Sequence, residues 1–190
     1  MYCSLFQITY TNEVGDDNAY IACTPDYPGV IVPLNMSVTG KIICIRDSFL
    51  CATVGLGREM TNVSAGFNPA SGPVAFCCSG IDFICQTVDK GEYAFLMAMG
   101  TVIKKQLRQG ESILVDGDSV LAFESSVTID VRTAGNIAAM CCGGNLFYTE
   151  LSGPGTIYLQ SMSIDKLRRL FPPKEHSSGD GGDGDGGGGD

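Results

Sequence analysis

An internal repeat constrains the fold of this chain more than any other feature of its sequence. The segment Gly40–Ala52 is echoed by Gly110–Ala122, since both begin with a glycine and carry two apolar runs around a polar turn. Cys77–Phe83 and Cys141–Phe147 extend the match, with their cysteine pair, glycine and phenylalanine at a constant offset of 64 residues. Self-similarity over such a period indicates a duplicated β unit whose copies pack on each other.

The composition favours an all-β protein. The chain has 190 residues, of which 44% are hydrophobic and 25 are glycine, which is typical of short strands joined by tight turns around a core. Apolar runs such as Tyr93–Met99 predict strands covered on both faces. We therefore predict tandem pseudo-repeats of a double-stranded β-helix-like or β-sandwich unit. Strands are expected near residues 4–11, 18–23, 29–34, 41–46, 48–54, 81–88, 92–99, 101–107, 112–116, 119–124, 127–133, 145–151 and 155–160.

The repeat also divides the chain. Residues 1–39 are interpreted as the remnant of a first unit, 40–109 as the second unit, 110–173 as the third, and 174–190 as a disordered acidic, glycine-rich tail. A short helix is expected from Ser163 to Leu170, and residues 55–73 are interpreted as a surface loop. Because half a unit is missing before Gly40, we expect an incomplete N-terminus and an exposed strand edge that another chain covers.

Charge and cysteine usage limit the partners and the compartment. The formal net charge is −9, and an acidic protein lacks the basic surface that nucleic-acid binding requires, so no nucleic-acid partner is expected. No apolar run is long enough to span a membrane, and no targeting signal is visible, as expected if the N-terminus is incomplete. Nine cysteines, an odd number without a spaced framework, indicate free thiols in an intracellular, reducing compartment.

A conventional active site cannot be assembled from this sequence. The single histidine, His176, lies at the edge of the predicted tail, whereas metal-dependent β-helix enzymes and Ser or Cys nucleophiles usually depend on positioned histidines. No catalytic residue, metal site or cofactor is therefore predicted. Two vicinal cysteine pairs could supply four thiolates to zinc, but neighbouring strand residues point to opposite faces, which favours packing roles and leaves a reactive thiol open. These residues are Cys77, Cys78, Cys141 and Cys142.

Two other groups of polar residues have alternative interpretations. Asp47 and Asp118, each followed by serine, recur at the repeat turns, where they contact a ligand or, as we favour, cap the turns through local hydrogen bonds. Several cations could form a basic face for an anionic partner such as lipid headgroups, although a solvated surface is favoured. The Gly-Pro-Gly segment at 153–155 is interpreted as a turn. The cations are Lys104, Lys105, Arg108, Lys166, Arg168 and Arg169.

Four segments together carry a resemblance to a known family, namely Pro28–Leu34, Cys44–Ala52, Gly110–Val127 and Leu151–Ser161. In this order they resemble the altered-inheritance-of-mitochondria protein 24 family. The resemblance implies units like those of the tryptophan RNA-binding attenuator protein, three units in full-length members, a mitochondrial role in some eukaryotes and no established catalytic activity. The vicinal cysteines depart from the family pattern, because they stand where members usually have a glycine-rich turn.

Three functional hypotheses follow. The leading hypothesis is a non-enzymatic binding or scaffold protein that self-associates or binds another protein, with a role in mitochondrial organisation implied only by the resemblance. The first alternative is a β module that holds a small molecule between its units, which a closed apolar pocket with convergent polar groups would favour. The second alternative is a thiol-based redox or metal-binding protein.

Overall fold

A computed structural model of the chain describes residues 8–13, 15, 18–45, 47–53, 62–67, 84–89, 91–133 and 147–171. Within these residues the fold is mostly antiparallel β-sheet with two short helices, as the composition predicted. The elements are β1 (Val30–Asn35), α1 (Met36–Thr39), β2 (Ile42–Ile45), β3 (Phe49–Ala52), β4 (Asn62–Phe67), β5 (Ile84–Asp89), β6 (Tyr93–Leu107), β7 (Ser112–Val115), a 3-10 turn (Gly117–Ser119), β8 (Val120–Glu124), β9 (Thr128–Thr133), β10 (Phe147–Ser152), β11 (Gly155–Met162) and α2 (Ile164–Leu170).

The strands form two antiparallel sheets. The larger sheet has eight strands in the order β1-β6-β11-β8-β2-β5-β4, with β3 paired to β6 beside this path. The smaller sheet has three strands in the order β7-β10-β9. Several neighbouring strands of the larger sheet are far apart in the chain. Strand β8, for example, pairs with β11 on one side and with β2 on the other.

The larger sheet curls around a first hydrophobic core. This core contains the buried side chains of Leu34 on β1, Tyr158 on β11 and Val88 on β5. Because β1 and β5 are separated by four strands in the sheet, they share one core only if that face is concave. Removal of these apolar side chains from water is the main favourable contribution to such a fold.

The opposite face of the central strands packs on the smaller sheet around a second core. Phe123 of β8 and Ile157 of β11 contribute from the larger sheet, and Ile129 of β9 and Leu151 of β10 contribute from the smaller one. All four are at most 4% exposed, so this contact between sheets is closely packed. Strands β8 and β11 therefore carry apolar side chains on both faces, which explains their continuous apolar sequences.

Strand pairing follows the offsets of the sequence repeat. Ile42 of β2 pairs with Val88 of β5. Ser112 of β7, 70 positions after Ile42, pairs with Ser152 of β10, which lies 64 positions after Val88. The same offsets relate two further strand pairings. The pairing of Ala52 with Ala94 corresponds to that of Ala122 with Tyr158. The pairing of Leu34 with Ala94 corresponds to that of Lys104 with Tyr158. The boundaries of the predicted units stay a prediction.

Strand β6 differs from its sequence prediction. Two strands were expected, at 92–99 and 101–107, but residues 93–107 form one strand that pairs first with β1 and β3 and then with β11. Gly100 lies at the change of partners with a φ of +73°, and a Cβ at this position would collide with Ser161. A glycine is needed here because other residues rarely adopt this conformation.

Other expectations need correction. The described parts of the predicted strands at 4–11 and 18–23 contain no strand, and the predicted loop at 55–73 contains β4, which pairs along its whole length with β5. The β4 sequence has a low strand propensity, and pairing with β5 stabilises it as a strand. Two strands isolated from a larger sheet would be only marginally stable. The C-terminal helix has its predicted position and Ser163 as N-cap. The predicted tail at 174–190 lies outside the described residues.

Candidate functional site

Two repeat-related turns carry the aspartates and serines that the sequence pointed to. The Ser48 hydroxyl donates to the carbonyl of Ile45 at 2.7 Å, which is the local turn bond expected for this residue. Asp47 has a φ of +62°, a left-handed conformation that aspartate tolerates better than most residues. In the other turn Asp116, and not Asp118, is the cap, because it accepts a hydrogen bond from the Asp118 N–H at 3.4 Å.

Asp118 instead joins its turn to α2. Its side chain is only 5% exposed and contacts the guanidinium of Arg169 at 2.8 Å. Lys166 reaches the same turn, with its Nζ 3.0 Å from Asp116 and 2.8 Å from the Ser119 hydroxyl oxygen. Burial raises the pKa of the Asp118 carboxyl, although Arg169 acts in the opposite direction. No side chain of α2 is fully buried, and these polar contacts join the helix to the turn.

A small cavity lies between the two turns and α2. It is lined by Tyr27, Asp47, Asp118, Asp165 and Arg168, among others, and its volume is about 40 Å³. This is close to the volume of one water molecule, whereas sites for small organic ligands usually measure at least about 300 Å³. The cavity therefore does not match the closed apolar pocket that the small-molecule hypothesis requires.

Most of the predicted basic side chains contact carboxylates of this chain. The ion pairs of Lys166 and Arg169 reach the turn before β8, and those of Lys105 and Arg168 lie elsewhere. The ammonium of Lys104 lies 5.6 Å from the centre of the Tyr158 ring. Each neutralising contact reduces the attraction of this surface for an external anion. The carboxylate partners are Glu111 for Lys105, Asp116 for Lys166, Asp165 for Arg168 and Asp118 for Arg169.

Two of the described cysteines, Cys44 and Cys51, do not resemble activated thiols. Burial raises the pKa of Cys44 to about 12. Burial, followed by the nearby Cys23, raises the pKa of Cys51 to about 11. Reactive cysteines usually have a lowered pKa, so neither is expected to be a thiolate at neutral pH. The predicted pairs Cys77, Cys78, Cys141 and Cys142 lie outside the described residues.

Two general site types are not found in the described part of the chain. Its His, Cys, Asp and Glu side chains form no group of three or more that could hold a metal ion. None of its helices is both long and apolar enough to cross a membrane.

Unpaired strand edges are the most distinctive surface feature. Among the described residues β7 pairs only with β10, and β3 pairs only with β6, so each strand leaves one edge without a strand partner. The repeat counterparts of these strands are β2 and β8, and they pair with each other. Leu114 on β7 is 60% exposed, whereas its counterpart Cys44, 70 positions earlier on β2, is completely buried.

Two of these residues, Asp116 and Leu114, were not predicted from the sequence. Asp116 was not singled out, because nothing in its sequence neighbourhood shows that α2 folds back to this turn. Leu114 was treated as an ordinary strand residue, although comparison with Cys44 in the repeat could have raised the question of its partner. Among the described residues, β3 and β7 each have one edge without a strand partner, and the sequence did not single out either strand.

A family model describing mitochondrial biogenesis AIM24 proteins matches residues 2–162. The chain belongs to this family. The match covers most of the sequence, including both sheets and the strands with unpaired edges. It confirms the resemblance found in the sequence. No curated protein matches this AIM24-family chain.

A solved structure supports the fold of this AIM24-family chain. It resembles the crystal structure of a Streptococcus pyogenes protein, with a TM-score of 0.57 and 18% sequence identity. The similarity covers 77% of this chain and 60% of the bacterial one, so this chain corresponds to less than two thirds of the bacterial protein's length. At this identity the similarity shows the fold alone.

Proposed function

We propose that this chain is a non-enzymatic scaffold that self-associates through its unpaired β-strand edges, in the mitochondrial-biogenesis role that its family's name describes. The observation that carries the proposal is the difference between repeat-related strands. Strands β2 and β8 pair with each other, whereas their counterparts β7 and β3 each have one edge without a strand partner among the described residues. A backbone edge of this kind is a template for pairing with another chain.

The sequences of the two edge strands support association. Strand β3 reads Phe-Leu-Cys-Ala and β7 reads Ser-Ile-Leu-Val, so neither contains the lysine, proline or inward charge that natural proteins use to block edge pairing. Other large apolar side chains are also exposed, and clusters of such residues mark interaction surfaces. These are Ile8, Tyr10, Tyr20, Ile21 and Val38.

The chemistry of the chain supports a binding role over catalysis. The sequence contains one histidine, and the polar residues at the turns are engaged in contacts that hold α2. Free thiols and an acidic surface suit a reducing intracellular compartment, and the family's name makes mitochondria the compartment we propose. Fractionation of cells that express the tagged chain should place it with mitochondria, and recovery only from the cytosol would contradict this part.

Light scattering after size-exclusion chromatography tests self-association directly. The purified full chain has a mass of 20.0 kDa, and we expect the folded protein to elute at a multiple of this mass, decreasing on dilution. Circular dichroism should show β-sheet under the same conditions. A well-folded protein with a mass of 20.0 kDa at every concentration would overturn the proposal.

A further inference from the structure

We infer that β7 of one copy pairs with β3 of a second copy, antiparallel and in the register that joins β2 to β8 within one chain. This inference rests on the proposed self-association and specifies which surfaces meet. The intrachain contact is the template: Ile42, Ile43 and Cys44 of β2 pair with Glu124, Phe123 and Ala122 of β8.

The repeat offset fixes the register of the new contact. Leu114 on β7 lies 70 positions after Cys44, and Ala122 on β8 lies 70 positions after Ala52 on β3. Since Cys44 pairs with Ala122 in the chain, the corresponding pair between copies is Leu114 with Ala52. In this antiparallel register Val115 of β7 also lies opposite Cys51 of β3, so two residues of each edge strand face each other.

The exposure of Leu114 is consistent with a missing partner strand. Its strand neighbours Ile113 and Val115 pack on the second core, whereas Leu114 points away from this core and is 60% exposed. Cys44 and Ala122 of the intrachain pair are both 0% exposed, so the equivalent contact excludes water. A second copy seated on β7 would cover the exposed leucine with apolar strand atoms.

The second copy is favoured over other occupants because both halves of the contact are present on one chain. Each copy carries one β7 edge and one β3 edge, and neither strand presents a charge to the other. Such a contact is heterologous, because two different surfaces meet, and it therefore closes into a ring or extends into a fibre. A different protein, or another segment of a longer polypeptide, would leave these two edges apart.

A pair of leucine variants tests the contact. Leu114→Lys places a charge in the proposed strand pair, and we expect the light-scattering mass of the full chain to fall from a multiple of 20.0 kDa to 20.0 kDa. Leu170→Lys is the matched control, since Leu170 on α2 is 63% exposed and lies outside the contact. We expect this control to keep the native mass. Because both leucines are exposed, both variants should fold, which circular dichroism can verify.

Cross-linking tests the register. An Ala52→Cys chain is mixed with a Leu114→Cys chain and oxidised, and mass spectrometry should identify a disulfide-linked peptide that joins positions 52 and 114. A Ser112→Cys chain replaces Leu114→Cys as the control for register, and we expect much less linkage to position 52. Identification of the joined peptide avoids confusion with the nine native cysteines.

The outcomes separate this inference from the broader proposal. An oligomer that keeps its mass in Leu114→Lys, and gives no peptide joining positions 52 and 114, would overturn the β7–β3 contact while self-association still stands. A native protein that is strictly monomeric would overturn both.

Discussion

Asp118 has a structural role, although an aspartate at this turn could have been expected to contact a ligand. Its carboxylate is almost completely buried and contacts Arg169 of α2. Burial disfavours the charged form more strongly than the guanidinium favours it, so its pKa is raised. A buried aspartate with this partner holds an element in place and needs no ligand to explain it.

The raised pKa of Asp118 has a measurable consequence. An acid whose pKa is raised on folding stabilises the folded state below its unfolded pKa, here 3.8, and this contribution is lost as the pH rises through the folded pKa. Asparagine mimics the protonated form at every pH. We therefore predict that the unfolding free energy of Asp118→Asn, relative to the native chain, increases between about pH 3 and about pH 7. Urea denaturation at both values measures this change.

Glu111 supplies a control of opposite sign. A hydrogen bond from Lys105 lowers the pKa of Glu111, so its contribution to stability is present above its unfolded pKa, 4.5, and is lost as the pH falls. The relative stability of Glu111→Gln should therefore decrease over the same increase in pH. A decrease for Asp118→Asn as well would contradict the environment assigned to Asp118.

At the scale of elements, α2 depends on polar contacts more than on burial. Its cap is formed by Ser163, which accepts from the Lys166 N–H at 3.1 Å, and two of its cations reach the turn before β8. A seven-residue helix is too short to be stable alone in water. The ion pairs to the turn should therefore determine how often this helix opens.

Two neighbouring arginines test this dependence. Arg169→Gln removes the ion pair to Asp118 on another element, and we expect a loss on the order of 1 kcal/mol in local stability, or roughly fivefold faster amide exchange over residues 164–170. Arg168→Gln is the control, because the partner of Arg168, Asp165, lies in the same helix. Hydrogen exchange with mass spectrometry should show little change in the control. Equal protection in both variants would mean that the ion pair to Asp118 does not hold the helix.

Element prediction succeeded where sequence patterns and strand pairing agree. Apolar runs and tight-turn residues identified most described strands, and the N-cap serine identified α2. It failed at β4, whose Gly- and Ser-containing sequence gives a weak strand signal but pairs with β5. It also failed at residues 18–23, where the apolar pattern favoured a strand but none forms. Tertiary pairing, which single-sequence patterns do not contain, decided the case of β4.

At the scale of the whole molecule, the second core holds the two sheets together. Phe123 on β8 is 1% exposed and packs with side chains from β9 and β10. We predict that Phe123→Ala lowers the unfolding free energy by about 3 to 5 kcal/mol, since it removes a large buried ring and leaves a cavity. Urea denaturation followed by circular dichroism measures the change.

A second phenylalanine provides the comparison. Phe171, after α2, is 74% exposed, so Phe171→Ala should change the unfolding free energy by no more than about 0.5 kcal/mol. Similar losses in the two variants would show that the core does not depend on Phe123 as described.

The candidate interface could be predicted from the sequence only in part. The repeat offset already related Gly40–Ala52 to Gly110–Ala122, and an exposed strand edge was expected. The sequence could not show that β8 pairs with β2 across units, because this contact joins residues about 80 positions apart. Sequence comparison alone also does not show that Cys44 belongs to the first core whereas Leu114 lies in neither core.

Strand β6 limits the changes in chain length that the fold can tolerate. It runs unbroken from partners at the first core to Leu107 in the second core, and side chains alternate between the faces of the sheet along it. One inserted residue near Gly100 would turn every later side chain to the wrong side, so that Leu107 would face away from its core. Two inserted residues would preserve the alternation, so insertions of even length should disturb this strand less than insertions of odd length.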